Sequence, residues 1–167
     1  MPTPKSAHES VGPVMFQRTL EVRTTGRGFF DVTREVAAAV AEAGASIGIC
    51  SLFLQHTSAS LVIQENADPA VLRDLARWME RLAPESPDYE HDDEGPDDMP
   101  GHLRSAVTRS SEVIPIAGGR MALGTWQAIY VWEHRRAPHV RRLVLTVVGE
   151  RGPGAAPRIA AGAAGDD

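Results

Sequence analysis

The sequence predicts an α+β fold: a mostly antiparallel β-sheet or sandwich core with about three helices packed on it, in a single domain. Three observations predict it. Apolar, β-branched runs of strand length recur along the chain, helical apolar spacing appears in windows with their own start and stop signals, and the last strands follow one another with no helix between them. The chain has 167 residues, of which 43% are hydrophobic and 23% charged, the balance of an ordinary globular domain with enough apolar material for a core.

Residues 1–13 read as a polar, proline-containing tail, and residues 151–167, RGPGAAPRIAAGAAGDD, as a flexible Gly/Ala-rich tail, which leaves the folded domain at 14–150. MFQRTLEVRT sets Phe16, Arg18, Leu20 and Val22 at alternate positions and reads as a strand. In DVTREVAAAVAEAG, Val32, Val36, Val40 and Ala43 form a helical stripe that Gly44 ends. SIGICSLFLQH is a continuous apolar run, expected to be a strand covered on both faces, and SASLVIQEN gives a further short strand. Asp68 as N-cap and Pro69 at the first helical position open a second helix along Val71, Leu72, Leu75, Trp78, Met79 and Leu82. Asp97 or Asp98 is expected to cap a short third helix over MPGHLRSAV. The strands EVIPI, TWQAIYVWEH and RRLVLTVVG complete the domain. In the middle one, Trp126, Ala128, Tyr130 and Trp132 are expected on one face, opposite Thr125, Gln127, Ile129, Val131 and Glu133.

Charge narrows the function classes. The net charge is −5, yet eight acids and no Lys or Arg fall between Glu85 and Asp98, so negative charge is concentrated in one segment. Arginines spread over the rest argue against a nucleic-acid face, which needs clustered basic residues beside aromatics. No apolar run approaches the ~20 residues of a membrane span, and the N-terminal stretch lacks the apolar centre of a secretory signal. The single cysteine, Cys50, has no internal partner and fits a small buried residue in a reducing cytoplasm.

The acidic segment YEHDDEGPDDMPGH contains His91, Asp98 and His102. If a helix starts at Asp98, then Asp98 and His102 are one turn apart on the same face. With His91 arriving from the preceding loop, they make a candidate divalent-metal site, while the competing reading is a solvated acidic loop with a helix cap. The second candidate is LQHTSASLVIQEN, where His56, Ser58 and Ser60 surround a strand end; no Gly-x-Ser-x-Gly elbow accompanies the serines, so a base–nucleophile pair competes with simple backbone capping. Glu65 and Asn66 follow in the loop before the second helix. The third is GTWQ, with Thr125 and Gln127, ahead of a cluster of His134, Arg135, Arg136, His139, Arg141 and Arg142 that reads as a solvated rim.

Taken together, QHTSASL, EN with DP, YEHDDEGPDDMPGH, GTWQ and the terminal GE resemble the secondary thiamine-phosphate synthase, or YjbQ-like, family from about Phe16 to Glu150. The resemblance implies a compact α+β domain assembled as a homotrimer. It also implies the joining of hydroxymethylpyrimidine diphosphate to thiazole phosphate, with pyrophosphate released. Carried over position by position, His56, Ser58, His91 and His102 are the candidate catalytic residues. Glu65, Asn66, Arg104, Arg120, Thr125 and Gln127 are candidates for binding a small phosphorylated substrate. His91, Asp98 and His102 would hold a divalent ion, Mg²⁺ or Zn²⁺. Four positions depart from the family pattern: Arg104 where lysine is usual, Arg109 and Ala128 where glycine is usual, and Ala76 where an acid is common. The alternatives are a trimeric metal- or small-anion-binding protein without turnover, and a hydrolase.

Overall fold

The computed structural model describes residues 12–152. The expected tails therefore lie almost wholly outside the described residues. The elements run β1 (Pro13–Thr24), β2 (Gly28–Asp31), α1 (Thr33–Ala43), β3 (Ile47–Leu54), β4 (Ala59–Glu65), α2 (Pro69–Leu82), α3 (Asp98–Ala106), β5 (Ser111–Ala117), β6 (Arg120–Met121), β7 (Gln127–Glu133) and β8 (His139–Glu150). Short β2 and β6 were not anticipated. The strands form a five-stranded sheet, β1-β8-β3-β5-β6, and a three-stranded sheet, β2-β7-β4. Every strand pair is antiparallel. This is the single α+β domain with three helices that the sequence predicts.

The core is one cluster. Cys50, Leu52 and Leu54 of β3, Ile114 and Ile116 of β5, and Leu143, Leu145 and Val147 of β8 point inward from the larger sheet. Leu61, Ile129 and Val131 meet them from the smaller one, with Val36, Ala39, Val40 and Ala43 of α1. Gly44 takes the left-handed conformation that ends α1, φ +73°. Burial pushes the Cys50 thiol up to about 11, so it is an inert core residue.

Four expectations change. β3 is covered on one face only: Ile47, Ile49 and Phe53 are open to solvent beside Met15, Val113 and Val148. An apolar run cannot by itself say whether the second face is covered by the same chain. α2 buries only Met79 fully and leaves Trp78 47% and Leu82 50% exposed, although Asp68 caps it as expected by accepting from Ala70 N. Thr125 and Trp126 form an exposed turn before β7 and not part of its alternation. Ala128, Tyr130 and Trp132 do share a buried face, where Phe29 of β2 stacks on Trp132 with ring centroids 4.5 Å apart. Finally, neither Asp97 nor Asp98 makes a side-chain cap on α3, because both carboxylates are turned to Arg135.

Candidate metal centre

The site is built at the end of the molecule where β3 passes into β4 and where β7 turns into β8. Three segments meet there: the His56–Ser58 link, the loop from residue 83 to the start of α3, and the turn after Glu133. Gly101 allows α3 to sit close, since a Cβ at that position would lie 3.2 Å from Arg135 Cδ and 3.4 Å from Ser58 Cβ. The turn at Gly95 (φ +104°, a conformation suited to glycine) folds the acidic loop back so that His91 lies over α3.

Asp98 is the centre. It is 2% exposed, and its Oδ2 lies 2.7 Å from His91 Nε2 while its Oδ1 lies 3.5 Å from His102 Nε2. The two imidazole centroids are 5.2 Å apart. One potential ligand atom from each of the three residues falls within 4.8 Å of the others. A backbone contact decides how His102 is presented: its Nδ1 lies 3.1 Å from Thr57 O. A carbonyl only accepts, so Nδ1 carries the hydrogen and Nε2 of the neutral ring offers a lone pair toward the carboxylate. Two lone pairs at 3.5 Å repel, a repulsion that a cation shared by the two residues would relieve. Fixing one imidazole nitrogen on a backbone carbonyl is the usual outer-shell arrangement of a metal-binding histidine.

Behind this triad lies an ion network of Glu133 with Arg135 and Arg141, two arginines expected on a solvated rim. Arg141 is 4% exposed; its Nη2 lies 2.5 Å from Glu133 Oε1 and its Nε 2.7 Å from Oε2. Glu133 also accepts from Thr24 Oγ1 at 2.8 Å and from Arg135 N at 2.9 Å. Burial alone would raise the Glu133 pKa, but the hydrogen bonds from Arg141, Arg135 N and Thr24 outweigh it and hold the carboxyl below its usual range. Arg135 in turn bonds both Asp97 and Asp98.

His56 and Ser58 are fastened to this network, but not to each other. Arg141 Nη2 donates to Ser58 Oγ at 3.1 Å. The backbone N–H of Arg142 donates to His56 Nε2 at 2.7 Å, and Arg141 Nη1 faces Nδ1 at 3.3 Å. Donors on both sides of the ring disfavour an imidazolium; burial and then Arg141 hold its pKa below the ordinary value. No base–nucleophile contact links His56 and Ser58. The serine that does meet an imidazole is Ser60, 2.8 Å from His134 Nε2, with both residues sealed from solvent.

His134 carries a pH signature. Burial, followed by the charge of Arg104, pushes it down to about 3 from an ordinary 6.5. Its folded pKa is depressed, so the unfolded chain takes the proton first. Its contribution to stability is fully present above pH 6.5 and is lost as the pH drops toward 3, by up to about 1.4 kcal/mol per pH unit. In urea unfolding at several pH values, His134→Gln is expected to show an acid slope shallower by about one proton; an unchanged slope would contradict the assignment.

The other candidates make no hydrogen bond or ion pair with the triad, although Arg104 stands on α3 two residues beyond His102. Glu65 and Gln127 are cross-strand partners, and Asn66 N donates to Trp126 O beside Thr125. This cluster sits at the far end of β4, whose seven residues span about 20 Å at roughly 3.3 Å each. Gln127 lines a cleft of about 470 Å³ there with Leu61, Ile63, Arg109 and Glu112. Arg120 is exposed on β6, near the opposite end of β3 from His56. Arg104 is 4% exposed and donates to Ala83 O from Nε and Nη2. Neither arginine reaches the triad. What adjoins it is a groove of about 290 Å³ lined by His56, Thr57, Ala59, His102 and Ser105.

The chain belongs to the YjbQ-like UPF0047 protein family, whose model matches residues 18–150. A UPF0047 protein of Synechocystis is 49% identical over 135 residues, covering 80% of this chain and 92% of that one. The YjbQ protein of Escherichia coli O157:H7 is 44% identical, covering 81% and 99%. Among solved structures, a hypothetical protein of Aeropyrum pernix superposes with a TM-score of 0.73 at 28% identity, covering 80% of this chain and 98% of that one. A YbjQ-like protein of Sulfolobus solfataricus, described as of unknown function, gives 0.71 at 25%, covering 81% and 99%. Among the described residues, no helix is long and apolar enough to cross a membrane.

Proposed function

We propose that this protein is a divalent-metal-dependent enzyme acting on a small phosphorylated molecule, with the ion held by His91, Asp98 and His102. The observation that carries this reading is the His102 tautomer: Thr57 O takes the Nδ1 hydrogen and leaves Nε2 turned to a buried carboxylate. Two imidazoles and one carboxylate suit Zn²⁺ better than Mg²⁺, which prefers oxygen donors and water. Three protein ligands leave a coordination position open, the arrangement of a catalytic rather than a structural zinc site. When bound, the ion would supply a Lewis acid for phosphate oxygens. The chain's own part is to orient the imidazoles, keep Asp98 out of water and offer the His56–Ser105 groove to the rest of the substrate.

In its most specific form the reaction joins hydroxymethylpyrimidine diphosphate to thiazole phosphate: a C–N bond forms, a C–O bond breaks, and pyrophosphate leaves. The likeness of the sequence motifs supports this form. The placement of Arg104 and Arg120 away from the triad favours the second reading, a metal- and anion-binding protein without turnover. The open apolar face of Ile47, Ile49, Phe53, Val113 and Val148 supports a homotrimer, as an uncovered patch of that kind suits subunit contact.

The test is thiamine phosphate formation from the two precursors with added Zn²⁺ or Mg²⁺. Formation that stops on chelation and in Asp98→Ala supports the transferase. Stoichiometric zinc and phosphate binding with no product supports the second reading. Formation indifferent to chelation and to Asp98→Ala overturns the role of the triad. Sedimentation should give roughly three times the 18.0 kDa chain mass, and a species of 18.0 kDa would contradict the trimer.

A further inference from the structure

Arg135 is not among the residues expected at the site, yet it touches every part of the acidic loop's return. Its Nε donates to Asp97 Oδ2 at 3.3 Å, its Nη1 to Asp98 Oδ1, and its Nη2 to Glu94 O at 2.8 Å. The side chain is 10% exposed, and that of Asp98 only 3%. Its backbone is anchored too, because Arg135 N donates to Glu133 and Arg136 N donates to Asp97 Oδ2 at 2.8 Å. The planar guanidinium fork is thus held from several directions and cannot swing away.

The consequence falls on the two oxygens of Asp98. Oδ1 carries the guanidinium and faces His102 Nε2 at 3.5 Å, whereas Oδ2 faces His91 Nε2 at 2.7 Å. We propose that Arg135 is a specificity-determining, positioning residue of the metal centre: by occupying Oδ1 it makes Asp98 a one-oxygen ligand and so selects a four-coordinate transition-metal ion. Ions that favour six or more oxygen-rich contacts often use both oxygens of a carboxylate. With one oxygen blocked, the site offers two nitrogens and one oxygen, the donor number of an open tetrahedral centre. This inference rests on the reading that His91, Asp98 and His102 hold a metal.

The experiment titrates the full chain with Co²⁺ and Mn²⁺ in wild type, Arg135→Lys, Arg135→Met and Asp98→Ala. A four-coordinate Co²⁺ ion absorbs visible light more strongly than a five- or six-coordinate one. Wild type is expected to show the strong band. Arg135→Met is expected to weaken the band and narrow the Co²⁺/Mn²⁺ affinity ratio by about tenfold, the lower end of what outer-shell changes do. Arg135→Lys should fall between them. A purely structural role would weaken both ions alike and leave the ratio unchanged. Should Arg135→Met not fold, Arg135→Lys and Asp97→Asn give the same readout, the latter loosening the fork without touching the triad. Strong Co²⁺ binding that disappears in Asp98→Ala, with ratio and band unchanged in the folded Arg135 variants, overturns this inference alone. Co²⁺ binding indifferent to Asp98→Ala overturns the metal centre itself.

Discussion

Glu133→Ala is expected to cost about 3–5 kcal/mol of folding stability, the range for removing one partner of a buried ion pair. Glu133 is 1% exposed and Arg141 4%, so the guanidinium left behind would have neither its carboxylate nor water. Thr24 Oγ1 and Arg135 N would lose their acceptor as well. Against a total of about 5–15 kcal/mol for a domain, the loss is a large fraction. Urea unfolding measures it directly. Glu133→Gln keeps the shape and some of the hydrogen bonds, so it should be milder yet still destabilising. A loss below about 1 kcal/mol for Glu133→Ala would show that the network is better solvated than its burial indicates.

His102→Ala and Asp98→Ala are each expected to weaken Zn²⁺ binding by at least about 100-fold, because each removes a ligand held in place, His102 by Thr57 O and Asp98 by Arg135. His91→Ala should cost less. His91 comes from the loop and is 51% exposed, so water can take its place, whereas Asp98 is fixed by α3 and Arg135. Competition with a zinc-sensitive dye ranks the variants. Equal losses at all three positions would contradict the greater mobility assigned to the loop ligand.

How much of this was legible in the sequence depends on the kind of signal. Asp98 and His102 share a helix face through their four-residue spacing, and the structure places them as that spacing implies. The helix over α1 and its glycine stop follow from periodicity and chirality. Asp98 as a cap was a reasonable expectation that tertiary charge overrode: Arg135 outcompetes the helix N–H groups for the carboxylate. Arg135 carries no local signal, because its burial is decided by Asp97 and Asp98, 38 and 37 residues away. Glu133 and Arg141 do carry one. Glu133 continues the inward alternation of Ile129 and Val131, and Arg141 that of Leu143, Leu145 and Val147. Opposite charges in phase with two buried strand faces, at the ends joined by one turn, are the pattern of an internal ion pair. The one-sided burial of β3 had no comparable signal. An outer face that is apolar reads the same whether this chain covers it or not.

The proposed metal ion at His91, Asp98 and His102 can be located crystallographically. The measurement is anomalous diffraction at the zinc edge from crystals grown with stoichiometric Zn²⁺. One peak is expected, bounded by His91 Nε2, Asp98 Oδ2 and His102 Nε2, with about 2.0–2.2 Å to each and Arg135 still on Oδ1. Ordered His91, Asp98 and His102 side chains with no peak between them, or a peak at other residues, would contradict it.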